Sequence, residues 1–390
     1  MKSPFYKKRF KDIASVDSVT IDQVPFLTNE DLLAGTERFL TCALDQISYI
    51  YCSSGSFHAP KIFYYSKNDL WRMADLTARF SRFEGVSPGD CVLLLLPMRM
   101  WVAGPVTMYG HVRAGASVIP LDVTSSFQTK ESIINLMEPN IISSMPSLLL
   151  DLVNNRIAHE FKIIETTGEP LSDQNRKSIE NALNGQVYDA YGLAECIVGV
   201  ECTCHDGYHY WPDSVIVEII DPRNTTPVAD GEEGEIVVTN FINTTMPIIR
   251  YRTGDLGCKT RGFCKCGSDL PRVWVKGRIK STVFLPGGVK ITQGQIIKVL
   301  DLFPNLTHSY QLVISDQGIK TRLEFFIESN HPVAVAELED AFSQLSADFM
   351  DLVESNLIIL DFQVVDLGSL PRSPISNKII NTIVDNRRRV

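Results

Sequence analysis

The sequence has no apolar stretch long enough to cross a bilayer: the run at Val92 to Pro97 falls far short of the roughly 20 residues a membrane helix needs. The N-terminal segment MKSPFYKKRFKDIASVD carries charge but neither an apolar core nor a small-residue cleavage site, so no signal peptide and no membrane contact are expected, and a cytoplasmic location follows. There is no excess of basic charge. With 37 Lys and Arg against 46 Asp and Glu the net charge is −9, and basic residues are dispersed apart from Arg387-Arg388-Arg389, which reads as a solvated tail. A broad nucleic-acid surface is therefore not expected. No Walker sequence GxxxxGK[ST] occurs, which disfavours a P-loop NTPase, and no internal repeat or low-complexity segment is present. Nine cysteines without an export signal do not read as a disulfide framework. Of these, Cys42, Cys52, Cys91 and Cys196 are scattered and read as small buried residues.

What is there is enough for a large core: 390 residues, 44% hydrophobic and 21% charged, too many for one ordinary domain. Helical spacing from Asp69 to Val86, a turn at Pro88-Gly89-Asp90 and an apolar strand from Cys91 to Leu96 form one unit. A second follows, with a helix from Met98 to Ala114 stopped by Gly115 and a strand from Ala116 to Pro120. Ser132 to Met137, Ile141 to Ser144 and Pro146 to Val153 continue the alternation, which predicts an α/β layer on a mostly parallel sheet. Beyond Tyr210 the strands Val215 to Ile220, Gly234 to Thr239 and Ile248 to Tyr251 mark a β-rich lobe, about residues 210–276. Strands near Gln311 to Ser315, Arg322 to Ile327 and Asp361 to Val365, with a helix near Val333 to Leu345, then predict a separate α+β domain. The expected division is a large domain over 1–278 and a smaller one over 279–390.

Two kinds of local chemistry stand out. Ser53-Ser54-Gly55-Ser56, followed by Pro60-Lys61, has the composition of a phosphate loop, because small hydroxylated residues and Gly let backbone N–H groups surround an anion; an ordinary Ser/Gly-rich surface turn is the alternative. Cys202-x-x-His205, with Cys204 between, and Cys264-x-Cys266-Gly267, with Cys258 just before, are two short thiol and imidazole spacings that suit a tetrahedral Cys₃His zinc site. The expected ligands are Cys202, His205, Cys264 and Cys266, with Cys204 or Cys258 as substitutes and His209 as a core or supporting residue. With all four positions filled by protein, such a zinc would be structural.

Further segments recur in a fixed order: Thr167-Gly168-Glu169-Pro170, Tyr188-Asp189-Ala190-Tyr191-Gly192-Leu193-Ala194-Glu195, Tyr251-Arg252-Thr253-Gly254-Asp255-Leu256, Gly277-Arg278-Ile279-Lys280 and Leu370-Pro371-Arg372-Ser373-Pro374-Ile375-Ser376-Asn377-Lys378. Together they resemble the adenylate-forming superfamily from about Tyr49 onward. Gly207-Tyr208-His209 and Pro247-Ile248-Ile249-Arg250-Tyr251-Arg252 make the short phenylacetate–CoA ligase-like branch the nearest likeness. The resemblance implies the multidomain adenylate-forming fold, with a trimmed N-terminal domain, a β-rich lobe and a small mobile C-terminal domain. It also implies ATP-dependent activation of a carboxylic acid as acyl-adenylate, release of pyrophosphate, and transfer to CoA or a carrier-protein thiol.

The same resemblance implies roles. Ser53, Ser54, Gly55, Ser56 and Lys61 would hold the β- and γ-phosphates, and Glu195 would bind Mg²⁺. Glu169, Pro170, Ala190, Tyr191 and Gly192 would frame the adenine, Asp255 would accept from the ribose hydroxyls, and Arg278 would assist at ribose and phosphate. Lys378 would bridge the acyl carboxylate and the α-phosphate, and Lys280 would be the hinge of the C-terminal lid. Trp101, Val102, Thr107, Gly168 and Tyr191 are the expected acyl pocket, suited to an aryl or other apolar acid. The chain departs from the branch at Phe57-His58, where Thr-Gly is usual, and at Asn377, where Gly is usual. These departures and the short N-terminal part keep two alternatives open: an amide-forming ligase with an amine acceptor, and a zinc-stabilised binding protein that has lost catalysis. A monomer or a homodimer is expected.

Overall fold

A computed structural model describes all residues except 1, 12–19, 54–60, 99, 280–281, 286–288, 304, 319, 330, 373–381 and 388–390. The expectations for Ser54, Gly55, Ser56, Lys280 and Lys378, and the departures at Phe57-His58 and Asn377, fall outside the described residues.

The helix Lys67–Glu84 shows how the sequence sets its own ends. Ser66 caps it by accepting from the Asp69 amide, Asp69 accepts the Ser66 amide at 2.9 Å in return, and Gly85, at φ +101°, closes it in the left-handed conformation. Leu70, Met73, Ala74, Leu76 and Phe80 make its buried face. The strand Cys91–Leu95 is almost wholly buried, which is why it reads as an unbroken apolar run rather than an alternating one. The next helix spans Ala103–Ala114, five residues later than the expected start at Met98. A Cβ on Gly104 would stand 2.4 Å from the Pro97 carbonyl, so the chain at Pro97 folds back against the helix start instead of forming its first turn.

Among the described residues eleven strands form one sheet, in the order Val215–Ile220, Gly234–Asn240, Ile248–Thr260, Arg272–Arg278, Tyr208–His209, Ile197–Val200, Gln186–Gly192, Ile163–Thr167, Ile141–Ser144, Cys91–Leu95, Ser117–Pro120. From Ser117–Pro120 through Gln186–Gly192 every pairing is parallel, and from Ile197–Val200 onward the described pairings are antiparallel. The change falls at the hairpin between Gln186–Gly192 and Ile197–Val200, ahead of the β-rich lobe expected over about 210–276.

Compactness divides the chain into two units, the first carrying most residues up to Val275, the second taking Gly254–Leu256 and the chain from Lys276 onward. The second unit has its own four-stranded sheet, ordered Ile358–Asp366, Lys320–Ser329, Leu306–Gln317, Ile383–Asp385. Its core is built on Leu312, Ile314, Leu323, Phe325 and Ile327, with Phe325 and Phe362 stacked at 5.1 Å. Among the described residues no helix is long and apolar enough to cross a membrane. Cys196 is buried as expected, whereas Cys42, Cys52 and Cys91 are only half-buried.

Candidate functional site

Glu195 sits at the tip of the hairpin where the sheet changes sense. The turn closes through Leu193 N–H to the Cys196 carbonyl at 2.8 Å and Cys196 N–H to the Leu193 carbonyl at 3.2 Å. Two side chains from elsewhere in the fold hold it: the Asn240 amide donates to the Glu195 carbonyl at 3.0 Å, and the fully buried Tyr65 hydroxyl donates to the Ala194 carbonyl at 3.2 Å. The Glu195 carboxylate is thereby fixed, with its side chain 5% exposed.

A buried carboxylate needs a partner, and Lys61 supplies it. Its ammonium forms an ion pair with Glu195 and donates to Asn29 Oδ1 at 3.0 Å and to the Tyr251 hydroxyl at 3.3 Å. The Lys61 backbone is tied to Ser53 in both directions: Lys61 N–H donates to Ser53 Oγ at 3.0 Å, and Ser53 N–H to the Lys61 carbonyl at 2.9 Å. Two residues expected to act at the phosphates, Ser53 and Lys61, are therefore brought together with Glu195. Asn29 and Tyr251 were not among the expected site residues. Tyr251 is legible as part of the Tyr251-Arg252-Thr253 motif, whereas Asn29 belongs to no motif.

The expected adenine frame lies along two paired strands. Thr167 and Ala190 are register partners, and the Thr167 hydroxyl donates to the Ala190 carbonyl at 3.1 Å. Gly168 takes φ +82°, a turn that side chains rarely adopt, and Glu169 then accepts the Ser147 amide at 3.0 Å. Pro170 follows in the same loop. Tyr191 is half-buried with its ring 5.8 Å from that of Tyr208, and Gly192 is exposed. Beneath them, Asp189 accepts from the Thr166 and Tyr208 hydroxyls, each at 2.6 Å. Burial outweighs those bonds and pushes its carboxyl up to about 7.

Asp255 and Arg278 are also brought together, Arg278 Nε lying 3.1 Å from Asp255 Oδ1. Asp255 is 3% exposed, while the Arg278 side chain is largely in solvent. Of the residues expected to line the acyl pocket, Val102 is buried in the same apolar core as Val106, Met73 and Tyr65, while Trp101 and Thr107 are half-buried.

The thiols lie together, but with a different imidazole. Cys202, Cys264, Cys266 and His209 place one donor atom each within 4.8 Å of one another. Cys202 Sγ is 3.7 Å from Cys264 Sγ, and Cys266 Sγ is 3.6 Å from His209 Nε2. A tetrahedron with metal–sulfur bonds of about 2.3 Å has edges of about 3.8 Å, so the donor set fits zinc. His205, expected as the fourth ligand, is turned elsewhere. At φ +49° it closes the Cys202 turn, and its ring meets Gln186 Nε2 at 2.9 Å, Arg176 Nη1 at 3.1 Å and Glu201 Oε2 at 3.3 Å. Cys204 is exposed, and neither it nor Cys258 belongs to the four-donor group.

Local geometry explains the exchange. His209 lies on the strand Tyr208–His209, in register with Arg272, and is fully buried. Gly207 before it takes φ +85° with the Trp274 ring so close that a Cβ would stand 2.7 Å away, so only glycine lets the chain enter this strand. Burial lowers the His209 pKa, favouring the neutral ring a metal requires. Burial drives the Cys202 thiol up to about 12. At Cys264 burial acts the same way but is overcome by the Cys266 amide, the neighbouring thiols and Arg272, and the thiol pKa falls.

Residues 7–245 match the family described as AMP-binding enzyme. The chain is 29% identical over 393 residues to the phenylacetate-coenzyme A ligase of Escherichia coli (strain K12), covering 95% of this chain and 88% of that one. It is 27% identical to the Thermus thermophilus phenylacetate-coenzyme A ligase, over 84% of this chain and 78% of the other. Among solved structures, 2-hydroxyisobutyryl-CoA ligase in the postadenylation state superposes with a TM-score of 0.81 at 21% identity, covering 99% of this chain and 86% of that chain. O-succinylbenzoate coenzyme A synthetase from Bacillus subtilis superposes with a TM-score of 0.64 at 19% identity, over 85% and 68% of the two chains. The buried Lys61–Glu195 pair, the Asp255–Arg278 pair and this match over more than half the sequence converge: the chain belongs to the AMP-binding enzyme family.

Proposed function

We propose that this chain is an AMP-forming ligase that activates a carboxylic acid and passes the acyl group to a thiol. An oxygen of the substrate carboxylate attacks the α-phosphorus of ATP, the bond to the β-phosphate oxygen breaks, and pyrophosphate leaves. The thiol sulfur then attacks the acyl carbon, the carbon–oxygen bond to the phosphate breaks, and AMP leaves while the thiol loses its proton. Little covalent work falls to the protein in such a reaction, and its contribution is positioning and charge.

The observation that carries this reading is the preorganised carboxylate of Glu195, on a hairpin tip held by Asn240 and Tyr65 and faced by a lysine that follows a Ser/Gly-rich loop. In this reading Glu195 is the Mg²⁺ ligand; when bound, the ion would offset charge on the phosphate oxygens. Lys61 and Ser53 attend the β- and γ-phosphates. Asp255 accepts from the ribose with Arg278 beside it, and Glu169, Pro170, Ala190, Tyr191 and Gly192 frame the adenine. Lys378 serves the acyl carboxylate, and the C-terminal unit acts as a lid hinged at Lys280. Zinc at Cys202, His209, Cys264 and Cys266 is structural, joining the segment after the Glu195 hairpin to the loop before Arg272–Arg278.

The relatives named as phenylacetate-coenzyme A ligases favour an aryl or similarly apolar acid and CoA as the thiol. Incubation with ATP, Mg²⁺, CoA and a panel of aryl and short acyl acids, followed by mass spectrometry, tests this. The expected products are AMP and an acyl-CoA. An acyl-amide formed only when an amine replaces CoA would move the assignment to amide synthesis, and nucleotide binding without AMP release would leave a binding protein.

A further inference from the structure

Lys61 is held on every donor it has. An ammonium carries three N–H groups, and the three oxygens around this one belong to Glu195, Asn29 and Tyr251. Its side chain is 14% exposed, so these bonds fix the position of the charge and are not incidental contacts of a solvated tip.

Both neutral partners are delivered by a single backbone junction. Leu27 pairs with Tyr251 as an isolated parallel bridge: Leu27 N–H donates to the Arg250 carbonyl and Arg252 N–H to the Leu27 carbonyl, each at 2.9 Å. Asn29 lies two residues beyond Leu27, in the first turn of the short helix Asn29–Leu33, which Thr28 caps by accepting the Asp31 amide at 3.2 Å. Arg250 locks the junction. It takes φ +50°, is buried, pairs with Glu218 at 2.7 Å, donates to the carbonyls of Asp22 and Val24 at 2.8 and 2.7 Å, and lies 4.0 Å from the Phe26 ring centroid. The segment ahead of the phosphate loop is thus committed to presenting Asn29 to Lys61.

We propose that Asn29 is a positioning residue of the nucleotide site, acting through Lys61, with the Tyr251 hydroxyl in the same role. This rests on the reading that Lys61 and Glu195 attend the triphosphate. Asn29 holds the ammonium beside the Glu195 carboxylate, so an incoming phosphate oxygen that takes over one of its three N–H groups meets a charge already in place, and without the Asn29 bond the lysine side chain regains rotamers that point away.

The test is calorimetric binding of α,β-methylene ATP with Mg²⁺ to the full chain and to Asn29→Ala, Lys61→Met and the double variant. The expected result is that Asn29→Ala weakens binding by roughly tenfold in the wild-type background and has no further effect once Lys61 is Met. Tyr251→Phe should repeat the pattern with a smaller factor. Near-isosteric Asn29→Leu supplies the same loss of acceptor should Asn29→Ala melt below the wild type. Equal weakening in both backgrounds, or none in either, overturns the proposal and leaves the adenylation reading standing. A wild-type chain that does not bind the analogue overturns both.

Discussion

Asp255 is almost completely buried, and the charge it faces at 3.1 Å is the guanidinium of Arg278, a side chain largely in solvent. A fixed carboxylate behind a movable cation suits a ribose site, because the carboxylate offers paired acceptors while the arginine can shift toward phosphate. Asp255→Ala should lower carboxylate-dependent AMP release by about 10²-fold with folding preserved. Arg278→Gln should lower it less, since Asp255 keeps its acceptors. Initial rates across ATP concentrations check both, and equal losses would count against the division of labour.

The Lys61–Glu195 pair bears on stability as well as chemistry. Lys61→Met strands a carboxylate whose side chain is 5% exposed and should cost about 3 kcal/mol. Lys61→Met combined with Glu195→Gln should recover most of that loss, because no uncompensated charge is left. Urea denaturation of the two variants and the wild type measures the difference, and an additive double variant would show that the two side chains are not coupled.

The proposed metal ligands are separable by substitution. His209→Ala and Cys264→Ser should abolish stoichiometric zinc and lower the melting temperature, whereas His205→Ala should retain zinc. Elemental analysis of the purified variants after dialysis decides the matter. Zinc lost with His205 and kept without His209 would restore the spacing-based assignment.

Protonation of Asp189 gives a signed pH effect. Its carboxyl holds a proton up to about 7 when folded against 3.8 ordinarily. The folded chain therefore binds that proton more tightly, so the contribution is fully present below about pH 4 and is lost as pH rises toward 7. Burial drives Glu84 in the same direction, aided by the neighbouring Glu165 carboxylate. Asp189→Asn should flatten the fall in melting temperature between pH 4 and 7, which a pH series of thermal melts would reveal; an unchanged slope would assign it to Glu84 alone.

Much of this was legible in the sequence because the signals were local. Apolar residues at helical spacing from Asp69 to Val86 announce the helix Lys67–Glu84, and the apolar run from Cys91 to Leu96 announces the buried strand Cys91–Leu95. The late start at Ala103 was not, because what forbids a helical turn there is contact between Gly104 and the Pro97 carbonyl. The donor group in the fold differs from the spacing-based one for a related reason. Cys202-x-x-His205 has a metal-like spacing, but the left-handed turn at His205 sends its ring to Arg176 and Gln186, while strand register buries His209 among the thiols. Asn29 carries no motif of its own, and its place beside Lys61 depends on a bridge between residues more than 200 positions apart.

Adenylate formation is tested by carboxylate-dependent exchange of pyrophosphate into ATP, which does not require the acyl acceptor. Over a panel of aryl and short acyl acids, at least one acid should support exchange, and Asp255→Ala and Lys378→Ala should each remove it. A folded, nucleotide-binding chain that exchanges with no acid, or whose exchange survives both substitutions, would rule out adenylate formation at this site.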